Sequence, residues 1–254
     1  MNLIQRIKNR VNRERNKPEY DEKLNLFSFN REGLIFYSNT FEQFDLIYNS
    51  IFIDGVYSFK STNPKPIIID CGSNIGLAAM YWKTQFPSSK IICFEPDPEV
   101  FKALVANTNG LSTVDVHQLA LSDKVGEVEF TSNGKLSGSL NLSKNLPSSY
   151  KVKTELLSKY LKDKKIEMLK IDIEGEELKV LKEIEPYLVN VSNIFVEYHS
   201  FIDDKQSLSE ILRLLEDSGF RYYLDSELKN TTPMIKTNVS LNQDLQVNIW
   251  AWRK

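Results

Sequence analysis

Residues 67–79 read IIIDCGSNIGLAA, and this stretch decides the fold. An apolar run ends at Asp70, a turn with Gly72, Asn74 and Gly76 follows, and a helical pattern begins directly afterwards. Glycines in such a turn let the backbone approach a ligand closely, and the start of the helix offers unpaired N–H groups. The stretch therefore predicts a strand–turn–helix unit whose turn faces a ligand crevice at the carboxyl end of the strand.

The same alternation of strand and helix continues from residue 64 to the end of the chain. It predicts an α/β fold with a mostly parallel sheet and helices on both faces, closed by an antiparallel pair of strands at one edge. Strand patterns lie at 66–71, 90–95, 114–119, 166–173, 193–198, 219–225 and 246–252, and helical patterns at 75–86, 98–108, 155–162, 176–188 and 206–217.

Residues 1–63 precede this pattern and are predicted to form an accessory extension to the main domain, 64–254. Apolar alternation on both sides of Arg31-Glu32-Gly33 is typical of a β-hairpin, and a helical pattern follows at 41–52. Residues 1–17 place apolar side chains at helical spacing among arginines and lysines. This pattern fits either a solvated first helix or weak peripheral contact with an anionic membrane surface.

Composition excludes several classes of protein. Of the 254 residues, 41% are apolar and 26% charged, and the net charge is -2, which is ordinary for a globular protein and lacks the basic excess of a general nucleic-acid binder. The only cysteines, Cys71 and Cys93, lie in apolar strand patterns and form no disulfide framework. No apolar run has the length of a membrane span, and the first residues lack a signal-peptide pattern, so we expect a cytoplasmic protein.

The turn after Asp70 lacks the spacing of a dinucleotide fingerprint and the Gly-Lys-Ser/Thr of a phosphate loop. A carboxylate at the end of the strand repels a pyrophosphate but attracts a cationic ligand. Glu95 ends the next strand and has the position of an acid that binds ribose hydroxyls. S-adenosylmethionine, which carries an ammonium, a sulfonium and a ribose, fits this charge pattern.

Four segments resemble the FkbM-type S-adenosylmethionine-dependent methyltransferases: IIIDCGSNIGLAA (67–79), CFEPDPEVFKALVAN (93–107), LALSDKVGEVEF (119–130) and LKIDIEGEELKVL (169–181). The resemblance implies the class I methyltransferase fold, a Rossmann-like sheet of seven strands with the last one antiparallel. It also implies a set of cofactor-binding residues around the methionine, ribose and adenine parts of the donor: Asp70, Gly72, Ser73, Asn74, Gly76, Glu95, Pro96, Asp97, Ala120, Leu121, Ser122 and Asp172.

Charged residues cluster at two further strand ends. Strand alternation predicts that Lys170, Asp172 and Glu174 point to one side, and that Glu197 and His199 share a side of the next strand. We expect them to meet the acceptor or the transferring methyl group. Either one of Asp172, Glu174, Glu197 and His199 acts as the general base, or a divalent metal held by Asp172 and Glu174 activates the acceptor.

The predicted reaction is methyl transfer to a hydroxyl of a sugar, a glycan precursor or a secondary metabolite. The alternatives are a methyltransferase fold that binds without catalysis, and N-methylation of protein or nucleic acid. Nucleic acid is disfavoured because the fourth strand ends in Asp-Ile-Glu-Gly rather than in a proline-rich base-methylating motif. The polar segment 132–150 is predicted to be a loop that closes over the crevice.

Overall fold

A computed structural model describes residues 17–41, 44–132, 138–139, 148–226, 234–235 and 242–253. Its centre is a seven-stranded sheet in the order β6-β5-β4-β11-β12-β14-β13, in which β14 runs antiparallel to both neighbours. The strands are β4 Ile67–Cys71, β5 Lys90–Phe94, β6 Val114–His117, β11 Ile166–Ile171, β12 Val191–Phe201, β13 Arg221–Ser226 and β14 Gln243–Trp252. The predicted class I methyltransferase fold and the antiparallel terminal pair are both confirmed.

Helices cover both faces of this sheet. Alternate side chains of β4 are apolar and pack in a different hydrophobic core on each face. Ile68 packs in one hydrophobic core and Ile69 in the other, and both are fully buried. A strand with a core on each face has a nearly continuous apolar sequence, and in β4 only Asp70 interrupts it. The helices around the sheet are α2 Leu77–Gln85, α3 Pro98–Thr108, α4 Ser158–Leu161, α5 Glu177–Ile184 and α6 Leu208–Asp217.

The predicted helix 176–188 is shorter than expected. The α-helix ends at Ile184 and continues as a 3-10 helix, Glu185–Asn190, because Pro186 has no N–H to extend the α-helical ladder. None of the helices among the described residues is long and apolar enough to span a bilayer.

The extension before the main sheet contains a hairpin and a helical segment where it is described. Strand β1, Glu19–Asp21, precedes the expected hairpin of β2, Leu26–Arg31, and β3, Leu34–Ser38, and α1, Phe44–Tyr48, passes into a π-helix, Asn49–Ile53. Asn107 of α3 ties the hairpin to the main domain, because its side chain accepts a hydrogen bond from the Tyr37 N–H and donates one to the Tyr37 carbonyl. The predicted helix at 1–17 falls almost wholly outside the described residues.

A small second sheet, in the order β7-β10-β8-β9, was not expected from the sequence. Its strands are β7 Ala120–Leu121, β8 Gly126–Ser132, β9 Gly138–Ser139 and β10 Ser148–Glu155. The predicted loop 132–150 is therefore partly strand at its ends, and residues 133–137 and 140–147 lie outside the described part. The predicted helix 155–162 shrinks to α4 because β10 continues to Glu155 and pairs with β7.

Candidate active site

The turn after β4 lies directly against the loop after β11. Gly72 has φ +77°, and a Cβ at this position would lie 1.8 Å from the carbonyl oxygen of Asp172. The N–H groups of Gly72 and Ser73 both donate to the carbonyl of Phe94, at 3.0 and 2.8 Å. Only glycine fits here, because the position needs a left-handed backbone and leaves no room for a side chain.

Glu95 is held at the end of β5 by the backbone. Its two carboxylate oxygens accept hydrogen bonds from the N–H groups of Asn74 and Asp97, each at 2.9 Å. Burial raises the pKa of Glu95 to about 8, although these two N–H donors favour the ionised form. Each carboxylate oxygen keeps a free lone-pair direction, so the group can still accept hydrogen bonds from a pair of hydroxyls.

These loops surround a cavity of about 280 Å³. Most of the predicted site residues line it: Gly72, Ser73, Asn74, Glu95, Pro96, Asp97, Ala120, Leu121, Lys170, Asp172, Glu174 and Glu197. Of the predicted catalytic set, only His199 is absent from the wall, and it lies behind Glu174. The structure thus brings the two predicted groups, at the ends of β4 to β6 and at the ends of β11 and β12, around one space.

Three predicted cofactor residues lie outside the cavity wall. Asp70 is fully buried beneath the turn, and Gly76 is the N-cap of α2, packed against Leu104 of α3. The Ser122 hydroxyl donates to Glu176, at 3.3 Å, in a buried contact. At these positions the three residues contact other parts of the protein, and their predicted cofactor roles stay predictions.

Lys170 connects the turn after β4 with the loop after β11. Its ammonium donates to the carbonyl of Gly72 at 2.8 Å and lies 3.4 Å from Asp70 and 3.2 Å from Asp172. Burial alone lowers the pKa of Lys170, but Asp172 and Asp70 outweigh it and raise the pKa well above its usual value. The charge of Asp70, expected to attract a cationic ligand, is therefore already balanced by a lysine of the protein itself.

His199 is surrounded by carboxylates. Its Nδ1 donates to Glu177 at 3.0 Å, while its Nε2 lies 3.7 Å from Glu174 and 3.5 Å from Glu197. Burial lowers the pKa of His199, but Glu174 and the other carboxylates outweigh it and raise the pKa well above 6.5. The neighbouring carboxylates therefore favour the protonated imidazole, and this does not favour His199 as a general base.

The alternation of side chains along β11 does not by itself bring Glu174 next to His199. Strand β11 ends at Ile171, and the chain turns through Glu174 and Gly175, both with positive φ. The turn, not a continued strand, carries Glu174 towards His199 on β12. Burial raises the pKa of Glu174 to about 7, and the neighbouring His199 partly offsets the effect.

The profile of the methyltransferase FkbM domain matches residues 70–222, which is more than half of the chain. The chain belongs to the FkbM methyltransferase family. Membership makes it an enzyme that transfers methyl groups and supports S-adenosylmethionine as the donor.

Several relatives of this FkbM chain are named methyltransferases. Methyltransferase sdnD of Sordaria araneosa is 31% identical over 74% of this chain and 86% of its own length. The 2-O-methyltransferase NoeI of Sinorhizobium fredii is 29% identical over 60% and 72%, and the hexuronic acid methyltransferase AglP of Haloferax volcanii is 29% identical over 68% and 66%.

Among solved structures, a methyltransferase FkbM from Methylobacillus flagellatus superposes with a TM-score of 0.51 at 14% identity. The superposition covers 80% of this chain and 47% of that longer chain. At this identity the likeness supports the fold alone.

The structure also brings Glu177 and Tyr57, which are not in the sequence-predicted set, to the candidate site. Glu177 ends the motif Lys-Ile-Asp-Ile-Glu-Gly-Glu-Glu, so its place in the motif was a signal for a role beside His199. Tyr57, which lines the cavity and lies with its ring 5.4 Å from the Lys170 ammonium, comes from the extension, where no motif marks it.

Proposed function

We propose that this chain transfers a methyl group from S-adenosylmethionine to a hydroxyl of a sugar, a glycan precursor or a secondary metabolite. The observation that carries the proposal is the arrangement of the cavity. A glycine turn and Glu95 lie at one part of its wall, and three carboxylates, Asp172, Glu174 and Glu197, lie at another.

The first part of the wall fits the donor. The tight turn at Gly72 leaves backbone close to the cavity, and the lone pairs left on Glu95 suit the two ribose hydroxyls. Ala120 and Leu121 are buried, apolar and on the wall, as a surface that packs against adenine requires. When bound, S-adenosylmethionine supplies a methyl group attached to a sulfonium. The sulfur keeps the electron pair of the carbon–sulfur bond when the methyl group is transferred.

The second part of the wall fits an acceptor hydroxyl. A hydroxyl is a weak nucleophile, so its oxygen must be aligned with the methyl carbon and its proton must be accepted by a neighbouring group. Asp172, Glu174 and Glu197 offer carboxylate oxygens for both tasks. The oxygen–carbon bond forms as the carbon–sulfur bond breaks, and the hydroxyl proton passes to the cluster.

The acceptor class is supported by two relatives, one named a 2-O-methyltransferase and the other a hexuronic acid methyltransferase. A balanced net charge of -2 and the Asp-Ile-Glu-Gly strand end disfavour nucleic acid as acceptor. The buried free thiols of Cys71 and Cys93 fit a reducing compartment, and we therefore place the reaction on cytoplasmic precursors.

A panel of acceptors tests the proposal: nucleotide-linked sugars, glycan oligosaccharides, hydroxylated metabolites, peptides and RNA. We expect S-adenosylhomocysteine release with a hydroxylated small molecule, and mass spectrometry should find the new methyl group on oxygen. Release only with peptide or RNA would overturn the acceptor class. Tight binding of S-adenosylhomocysteine with no turnover of any acceptor would favour the non-catalytic alternative.

Two variants connect the proposal to the cavity. Glu174→Gln should lower turnover by roughly 10²-fold or more, because a carboxylate of the acceptor wall is lost, and should keep affinity for S-adenosylhomocysteine. Glu176→Gln is the matched control, because Glu176 is the buried neighbour whose side chain binds Ser122 and Lys179 away from the cavity. Equal turnover in the two variants would contradict the assignment.

A further inference from the structure

The carboxylate cluster contains one group of side chains with the composition of a metal site. Asp172, Glu174 and His199 each direct a ligand atom to a common space, and these atoms all lie within 4.8 Å of one another. Among the described residues, no other group of three such side chains meets this criterion. The first two follow β11 and the third lies on β12, so the fold itself places them together.

The spacing of the atoms is close to that of ligands on one ion. Two ligands bound about 2.1 Å from the same cation lie roughly 3.0–3.6 Å apart at angles of about 90–120°. His199 Nε2 and Glu174 Oε2 are 3.7 Å apart, longer than the ordinary 2.7–3.2 Å of an N–H···O hydrogen bond. The side chains of Asp172 and Glu174 are partly exposed, at 23% and 22%, so neither carboxylate is enclosed by packing.

A second layer of contacts orients the imidazole. The side chains of His199 and Glu177 are each 2% exposed, and Nδ1 lies 3.0 Å from Glu177. This contact leaves Nε2 facing Glu174 and Glu197. A histidine that binds a metal through one nitrogen usually donates its other N–H to a carboxylate or carbonyl. Gln243 also donates to Glu174, at 3.2 Å, and fixes a second member of the group.

We propose that Asp172, Glu174 and His199 bind one divalent transition-metal ion, with Mn²⁺ as the representative, and that Glu177 is the positioning residue for His199. One imidazole and two carboxylates favour such an ion over Mg²⁺ or Ca²⁺, which prefer oxygen ligands alone. The three side chains leave coordination positions open towards the cavity that Asp172 and Glu174 line.

The role of the ion rests on the proposed function. An acceptor hydroxyl that takes an open coordination position becomes more acidic and loses its proton to Glu197, the cluster carboxylate outside the three ligands. The resulting oxygen attacks the methyl carbon, the carbon–sulfur bond breaks, and its electron pair stays on sulfur. A methyl ether, S-adenosylhomocysteine and one proton are formed, and no oxidant or reductant is required.

Binding is measured without turnover, by electron paramagnetic resonance of free Mn²⁺ during titration of the full chain after treatment with a chelator. We expect one Mn²⁺ per chain in the wild type and at least about tenfold weaker binding in Asp172→Asn and His199→Ala. Glu176→Gln, the buried control outside the cluster, should bind Mn²⁺ as the wild type does. If His199→Ala does not fold, Asp172→Asn carries the test because Asp172 is partly exposed.

Glu177→Gln tests the positioning role. We expect Mn²⁺ affinity to fall by about 10–100-fold while circular dichroism and S-adenosylhomocysteine affinity stay unchanged. A purely structural Glu177 would instead change the stability and leave the Mn²⁺ affinity of the folded variant as it was.

Isothermal titration with S-adenosylhomocysteine on the same preparations separates the two proposals. Wild-type protein that binds S-adenosylhomocysteine but no Mn²⁺, or variants that bind Mn²⁺ as tightly as the wild type, would overturn the metal site alone. Mn²⁺ binding lost in the variants, with no S-adenosylhomocysteine binding in any preparation, would overturn the proposed function and leave the metal site standing.

Discussion

Gly72→Ala is the substitution for which the structure gives the clearest quantitative expectation. The new methyl group would lie 1.8 Å from the carbonyl oxygen and 2.9 Å from the carbonyl carbon of Asp172, and both are backbone atoms. Backbone cannot rotate away as a side chain can, so either the turn after β4 or the loop after β11 must move. Either movement displaces groups of the cavity wall.

Gly110 provides a matched control, because it has φ +83° and an added Cβ would meet nothing within 4 Å. Gly110→Ala therefore costs only the left-handed backbone conformation, about 1–2 kcal/mol. Gly72→Ala carries the same backbone cost and an overpacking cost of about 1–3 kcal/mol or more, so we expect a loss of about 2–5 kcal/mol in the free energy of unfolding. Urea denaturation of both variants measures the difference.

The same pair of variants separates stability from binding. We expect Gly72→Ala to weaken S-adenosylhomocysteine binding at least about tenfold in isothermal titration, and Gly110→Ala to leave it unchanged. Equal stability losses in the two variants, together with unchanged affinity in Gly72→Ala, would refute the argument that the turn and the loop after β11 are in contact at this glycine.

Lys170→Met should lower the free energy of unfolding by about 3–5 kcal/mol in urea denaturation, because it leaves the buried Asp70 carboxylate without its cation. The further change Asp70→Asn should restore part of that loss, and no restoration would argue against the ion pair. For Glu95 the folded-state pKa of about 8 lies above its ordinary value of 4.5, so the folded chain holds this proton more tightly. Its contribution to stability is complete below pH 4.5 and is lost as pH rises to about 8, so the wild type should lose more stability across this window than Glu95→Gln when unfolding is followed without cofactor.

Much of the main sheet could be predicted from local sequence because burial on both faces requires apolar residues along β4 and β5. Each strand is covered on both faces, and each is a nearly continuous apolar run that only Asp70 in β4 and Lys90 at the start of β5 interrupt. The strands of the small second sheet have a weaker apolar pattern. Val128 of β8 pairs with Val152 of β10 across a long polar segment, and neither strand alone differs clearly from a polar loop.

In the candidate site, too, some features could be predicted from local sequence and others could not. The turn at Gly72 and the acid at Glu95 follow from a strand–turn–helix pattern that lies within one stretch of chain. The contact between Glu177 and His199 joins a helix start to a distant point on β12, so it depends on the order of strands rather than on any local pattern. The burial of Lys170 likewise depends on where β11 ends, and spacing alone does not reveal it.

The position of Lys170 has a consequence for how the site works. One buried ammonium contacts the turn that we assign to the donor, through the Gly72 carbonyl, and the loop that we assign to the acceptor, through Asp172. Because Gly72 also contacts the backbone of Asp172, neither loop can move without the other. Glu95, directly after β5, accepts a hydrogen bond from the Asn74 N–H of this same turn, so it is joined to the pair of loops. Changes at Glu95 or at the turn after β4 are therefore expected to alter donor binding and acceptor alignment together.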